Sequence, residues 1–146
     1  MASAALLASP PPVARILIVE DESLIALGLQ DILQQAGFLV MDPVSSNSKA
    51  LAFLSREQPD AVLLDCELSD GRATPVVQAL QSAGIPFAVM TGEAADGLTG
   101  VAFEIAPRLL KPFSEEDVVR IVWQLIAECP ASPGDASATT LDGVAP

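Results

Sequence analysis

Histidine and tyrosine are missing from this 146-residue chain, and its two cysteines, Cys66 and Cys129, stand in unrelated settings with no paired spacing. A histidine-bearing zinc site and a disulfide scaffold are thereby excluded. Basic residues are scarce, 7 against 19 acidic, for a formal charge of -12. That balance argues against a phosphate backbone or an anionic membrane as the direct partner, and leaves proteins and cations. No apolar run approaches the roughly 20 residues that span a bilayer. The start, Met1 to Pro12, is rich in Ala, Ser and Pro and lacks the charged onset and apolar core of a secretion signal. The expected location is the cytoplasm.

What is present is a hydrophobic fraction of 51%, enough for one domain with a proper core. Residues 1–12 and 130–146 have compositions that bury too little surface to offset ordering entropy, so both are expected to be disordered tails. A folded unit over 13–129 is left between them.

The most telling stretch is Ala61-Val62-Leu63-Leu64-Asp65, an apolar run that ends on a carboxylate. Unbroken apolar runs suit strands buried on both faces, as in helix-covered parallel sheets. Arg15 to Glu20, Phe38 to Met41, Phe87 to Thr91 and Arg108 to Lys111 read as the other strands. Between them, Glu22 to Ala36 carries Leu24, Ile25, Leu29, Ile32 and Leu33 at helical spacing, with Gly37 as its stop. Asn47 or Ser48 is the expected cap of a helix bearing Ala50, Leu51, Phe53 and Leu54. A loop over Glu67 to Ala73 leads into Thr74-Pro75, a good helix start, and that helix turns Val76, Val77 and Leu80 inward and ends at Gly84. Gly92, Gly97 and Gly100 predict a short or irregular helix between Glu93 and Glu104. Ser114-Glu115-Glu116-Asp117 resembles a capping box before the last helix. Val118, Val119, Ile121, Val122, Trp123, Leu125 and Ile126 there form an apolar arc wider than one buried stripe, and its surplus could serve a homodimer or a partner. Five βα units predict an α/β fold, doubly wound, with helices on both faces of a parallel sheet.

In such sheets ligands sit beyond the carboxyl ends of the strands. Glu20-Asp21 lies there where a dinucleotide-binding protein would carry a glycine-rich turn. Two carboxylates beside Asp65 repel one another, and a divalent cation is the simplest way to keep all three ionised. Few, hard oxygen ligands suit Mg²⁺. The competing reading is that Asp21 and Glu22 merely favour a helix dipole. Thr91 and Lys111 end the neighbouring strands with a hydroxyl and an ammonium, the donors needed for phosphoryl oxygens on Asp65. Cys66 follows Asp65, but alternation turns it away, and it reads as a small buried hydrophobe.

RILIVEDE, VLLDCE, VMTGE and LLKPF together resemble the receiver domain of bacterial two-component response regulators. The resemblance implies a flavodoxin-like three-layer αβα sandwich with strand order 2-1-3-4-5. It implies Mg²⁺ held by Asp21, Asp65 and the backbone carbonyl of Glu67, with Glu20 in support. It also implies that Asp65 takes a phosphoryl group from a sensor histidine kinase or histidine phosphotransfer protein, and that Thr91 and Lys111 contact that group. Lys111-Pro112 is expected to be cis. Glu67 and Glu93 hold positions that tune hydrolysis in the family. Arg108 stands where receivers commonly carry an aromatic switch, and Ser69 where they carry a proline, so the loop after Asp65 is compact. Together with Pro86-Phe87 to Thr91-Gly92, this loop resembles a receiver subset common in alphaproteobacteria. The expected role is a stand-alone phosphoacceptor acting on a downstream protein target as switch, relay or phosphate sink, and not an enzyme. The alternatives are a phosphorylation-independent binding module with this fold, or a phosphatase that forms an aspartyl-phosphate. The phosphatases usually start from Asp-x-Asp on the first strand, whereas Asp65-Cys66-Glu67 lies on the third.

Overall fold

The computed structural model describes residues 13–92 and 106–128. In chain order the elements are β1 (Arg15–Val19), α1 (Ser23–Gln35), β2 (Leu39–Val40), α2 (Asn47–Leu54), β3 (Ala61–Asp65), β4 (Glu67–Leu68), β5 (Gly71–Arg72), α3 (Thr74–Ala83), β6 (Phe87–Thr91), β7 (Arg108–Leu110) and α4 (Glu115–Glu128). Five of the strands form a parallel sheet in the order β2-β1-β3-β6-β7. Counting those five alone, this is the expected 2-1-3-4-5 winding.

The unbroken apolar strands segregate by alternation. Ile16, Ile18, Ala61, Leu63, Ala88 and Met90 pack against Leu29 and Leu33 of α1 and Val118, Val122 and Leu125 of α4. Leu17, Val19, Val62, Leu64 and Val89 face the other way, against Ala50 of α2 and Val76, Val77 and Leu80 of α3. Each Leu or Ile fully removed from water contributes about 1.5–3 kcal/mol, so each face is a substantial core. The two faces explain why the strand runs carry no polar alternation. The sheet winds outward in both directions from β1 and β3, whose carboxyl ends therefore border the crevice where strand order reverses.

Several boundaries differ from expectation. The first helix begins at Ser23 rather than Glu22 and ends at Gln35, and Leu24 is 84% exposed because Ala26, Leu29 and Leu33 take the core stripe. The second strand shrinks from Phe38–Met41 to Leu39–Val40, which pair with Arg15 and Ile16. Ser46, not Asn47 or Ser48, caps α2 by accepting from the Lys49 amide. The segment read as a loop from Glu67 contains a small antiparallel ladder, Glu67 opposite Arg72 and Leu68 opposite Gly71. The last strand ends at Leu110, one residue before Lys111.

Other signals act as read. Pro75 lies in the first turn of α3, and Gly84 ends that helix in the left-handed conformation (φ 71°), which glycine adopts without a Cβ penalty. Ser114 and Asp117 bond reciprocally, amide to side chain, at 3.1 and 3.3 Å across the first turn of α4. The surplus apolar arc of α4 is partly accounted for: Trp123 is 54% exposed, yet its ring lies 5.0 Å from that of Phe38, in a tilted pair. Cys129 and the glycine-interrupted segment after Gly92 lie outside the described residues. Among the described residues no helix is long and apolar enough to cross a membrane.

Candidate active site

Parallel pairing sets the site. Val19 pairs with Leu64, so Glu20 and Asp65 are the next residues along adjacent strands, and Asp65 pairs in turn with Met90. Thr91 pairs with Leu110, and the Lys111 amide donates to the Thr91 carbonyl at 2.8 Å. Asp65, Thr91 and Lys111 thus come to one edge because each lies at or just past the end of its strand. The Lys111-Pro112 bond is cis, as expected.

The side chains complete the picture. Lys111 Nζ lies 3.4 Å from Asp65 Oδ2 and 3.3 Å from Glu20 Oε1. Carboxylate oxygens of Glu20, Asp21 and Asp65 all fall within 4.8 Å of one another. Glu20, Asp65 and Thr91 are buried, while Asp21 is exposed. The remaining contacts come from the main chain: the Glu22 amide donates to Glu20 Oε2 at 3.2 Å and the Glu67 amide to Asp65 Oδ1 at 3.3 Å. Asp21 and Glu22 precede the helix rather than lying in its first turn, and Glu22 makes no side-chain cap bond. Asp21 lies just ahead of the helix, together with the carboxylates of Glu20 and Asp65.

Burial, reinforced by Asp65, pushes the Glu20 carboxyl up to about 7. The Glu22 amide and Lys111 pull the other way without cancelling that rise. For Lys111, burial acts to lower the ammonium pKa, but the Asp65 and Glu20 carboxylates outweigh it and hold it above its ordinary value. Lys111 stays charged at neutral pH.

Three carboxylates and one ammonium leave an excess of two negative charges when all are ionised. A divalent cation matches that excess. Glu20 Oε1 supports the fit independently, because it is buried and receives no directed hydrogen bond despite its ion pair with Lys111. The donor set is all oxygen, which suits a hard cation. In the absence of metal, partial protonation of Glu20 is the available relief.

Other candidates lie further out. The Glu67 side chain is exposed and approaches Arg72, Oε2 to Nε 3.4 Å, across the ladder. Arg108 opens β7 and lines a groove with Asp117, Arg120 and Gln124 of α4, a groove whose lining includes none of Glu20, Asp21 and Asp65. Glu93 lies outside the described residues. Cys66 is buried in the α2/α3 face of the core, and burial, then the nearby Asp65 and Glu67 carboxylates, push its thiol up, so it behaves as a small hydrophobe.

Two residues next to the site carry more than their sequence signal indicates. Asn47 and Asp70 join the tip of the β4–β5 ladder to the start of α2. Asp70-Gly71 is the local turn signal that points to the ladder, but a partner 23 residues away leaves no mark in a local pattern.

The response regulator receiver domain model matches residues 16–122. The phyllosphere-induced regulator PhyR of Methylorubrum extorquens is 30% identical over 114 residues, covering 76% of this chain and 43% of that protein. The chain spans about half the length of the curated relatives it matches. Among solved structures, SdrG from Sphingomonas melonis Fr1 is 36% identical with a TM-score of 0.68, covering 78% of this chain and 97% of that one. SdrG has also been solved in a BeF3-activated conformation, likewise 36% identical, with a TM-score of 0.67 and coverage of 80% and 99%. The receiver domain of PhyR from Erythrobacter litoralis is 27% identical with a TM-score of 0.72, covering 82% and 94%. With its fold, its convergent strand-end residues and these likenesses, the chain belongs to the response regulator receiver domain family, the phosphorylation-dependent signalling domain of two-component systems.

Proposed function

We propose that Asp65 is the phosphoacceptor and that its donor is a phosphohistidine on a sensor histidine kinase or histidine phosphotransfer protein. The observation that carries this reading is the placement of Asp65 beside the Lys111 ammonium and two further carboxylates, at the switch point of the sheet. In the transfer an Asp65 carboxylate oxygen attacks phosphorus and the P–N bond to the donor imidazole breaks. The electron pair leaves with the ring, which takes up a proton. A carboxylate is a weak nucleophile, so positioning and charge stabilisation carry the reaction.

Asp21, Asp65 and the backbone carbonyl of Glu67 would hold Mg²⁺, with Glu20 supporting the site. Bound there, the ion supplies charge to stabilise the transferred oxygens. Lys111, whose ammonium meets both Asp65 and Glu20, shares that task, and Thr91 reads the new group through its hydroxyl. Glu67 and Glu93 would set the lifetime of the aspartyl-phosphate, and Arg108 replaces the aromatic position of other receivers. This is a phosphoacceptor with self-catalysed transfer and hydrolysis rather than a turnover enzyme. Its output would be a downstream protein target in the cytoplasm. The BeF3-activated form of SdrG supports a phosphorylation-like switch in a similar chain, and the compact loop supports the alphaproteobacterial subset.

The test is phosphorylation by acetyl phosphate or phosphoramidate, followed by intact mass. Wild type should gain one phosphoryl group only with Mg²⁺ present, and Asp65→Asn none. An unmodified wild type would point instead to a binding module that keeps the fold and has lost the switch.

A further inference from the structure

The β4–β5 ladder begins two residues after Asp65 and carries Glu67, yet little within it explains its order. It has two residues per strand, its two-residue turn, Ser69-Asp70, lacks proline, and β5 opens on a glycine at φ +124°. Two-stranded ribbons of this size are marginal in water, and glycine adds conformational entropy to the unfolded ribbon. Its order therefore has to come from outside.

Besides the burial of Leu68 in the core, the tie is to the first turn of α2. The Asp70 carboxylate accepts from the Asn47 amide at 2.8 Å, from Asn47 Nδ2 at 3.2 Å and from the Ser48 amide at 3.2 Å. It thereby satisfies helix N–H groups that have no partner within the helix. In return Asn47 Nδ2 donates to the carbonyls of Gly71 at 3.2 Å and Arg72 at 2.9 Å. The Ser69 hydroxyl adds a bond to the Ser45 carbonyl at 3.4 Å. Asn47 is 7% exposed and leaves its own Oδ1 without a partner, so a buried polar side chain is committed to gripping this ribbon at some cost. Asp70 also stays ionised well below neutral pH, because the Asn47 and Ser48 amides hold its carboxyl below the ordinary value.

We propose that Asn47 and Asp70 are positioning residues for the metal site, clamping the β4–β5 ribbon to α2 so that the Glu67 backbone carbonyl is held in place for the cation. This rests on the Mg²⁺ site put forward above. Neither side chain touches the cation; each acts through the ribbon. A clamp of this kind is pre-organisation: a free ribbon would have to be ordered at the moment of binding, and affinity would fall by that cost.

The test uses the full chain with Asp70→Ala, Asp70→Asn and Asn47→Ala, comparing Mg²⁺ affinity by calorimetry with amide exchange of residues 67–72. Asp70 is exposed, so its variants are expected to fold even where Asn47→Ala does not. Exchange in the ribbon should accelerate in Asp70→Ala, and the Mg²⁺ Kd should rise roughly tenfold, at the low end for outer-shell ligand supports. Asp70→Asn keeps an acceptor oxygen and should recover part of the affinity. Ser46→Ala removes the ordinary cap of α2 without touching the ribbon, and should destabilise the protein while leaving Kd within about twofold. Unchanged exchange, or faster exchange with unchanged Kd, overturns the clamp; so does an equal loss in Ser46→Ala, which would assign the effect to fraying of the helix. A wild type that binds no Mg²⁺ defeats the underlying site reading, and is recognised before any variant is made.

Discussion

Glu20→Gln isolates the electrostatic strain of the metal-free site. In the folded chain the Glu20 carboxyl is raised to about 7 from 4.5, its ordinary value, by burial first and Asp65 second. Between those two values the folded state binds more protons than the unfolded one, so stability falls as pH rises through this window. The loss is nearly complete about one unit above the folded value. A shift of this size corresponds to roughly 3 kcal/mol, most of which, about 2–3 kcal/mol, falls between pH 5 and 8. For a domain of this length that is on the order of 10 °C in Tm. Glutamine keeps the shape and cannot ionise. Melting curves in EDTA from pH 5 to 8 should therefore show wild type losing about 10 °C more than Glu20→Gln, with the variant the more stable at pH 8. Mg²⁺ should reverse the order at pH 8, since the cation rewards the ionised carboxylate by mass action. Parallel melting profiles for the two proteins in EDTA would refute the view that buried Glu20 carries the strain.

Further outcomes follow from the same geometry. Lys111→Ala should slow phosphorylation by acetyl phosphate at least tenfold, about 1.4 kcal/mol in the barrier, while Mg²⁺ binds no more weakly by calorimetry, because the variant removes a positive charge beside the ligands. Glu67→Ala and Glu93→Ala should change the rate at which phosphorylated protein loses its label; unchanged lifetimes in both would remove them from the hydrolytic step. Iodoacetamide followed by peptide mapping should leave the Cys66 peptide unlabelled in native protein at pH 8 and label it in urea, since burial both shields the thiol and raises its pKa. Leu29→Ala should cost about 3 kcal/mol in chemical denaturation and Leu24→Ala less than about 0.5, although both leucines fit the same helical pattern.

That last contrast shows where local pattern stops being informative. Periodicity places Leu24, Ile25, Leu29, Ile32 and Leu33 on a common stripe, but the stripe that meets the sheet is fixed by where β1 and α4 lie, and Ala26 takes the place of Leu24 in it. Strand identity survived better, because a strand buried on both faces must be apolar throughout and its polar end is then conspicuous. Glu20, Asp65, Thr91 and Lys111 all stand at such ends, and parallel pairing turns four distant positions into one site without any further information.

The ribbon after Asp65 followed the opposite logic. Asn47 reads locally as a helix cap, and Asp70-Gly71 as a turn; each reading accounts for its residue completely, so neither calls for the other. In the fold the cap is Ser46, one residue earlier, and that single shift frees the Asn47 side chain to reach across to the ribbon. The main-chain neighbours of Asp65 are thus tied by a residue 18 positions before it in sequence, through hydrogen bonds spanning 23 to 25 residues. A chain can advertise its reactive groups through composition at strand ends, because chemistry restricts which side chains serve there. The groups that hold them still are chosen by geometry alone, and many residue types could serve. They become visible only when the two segments are placed side by side.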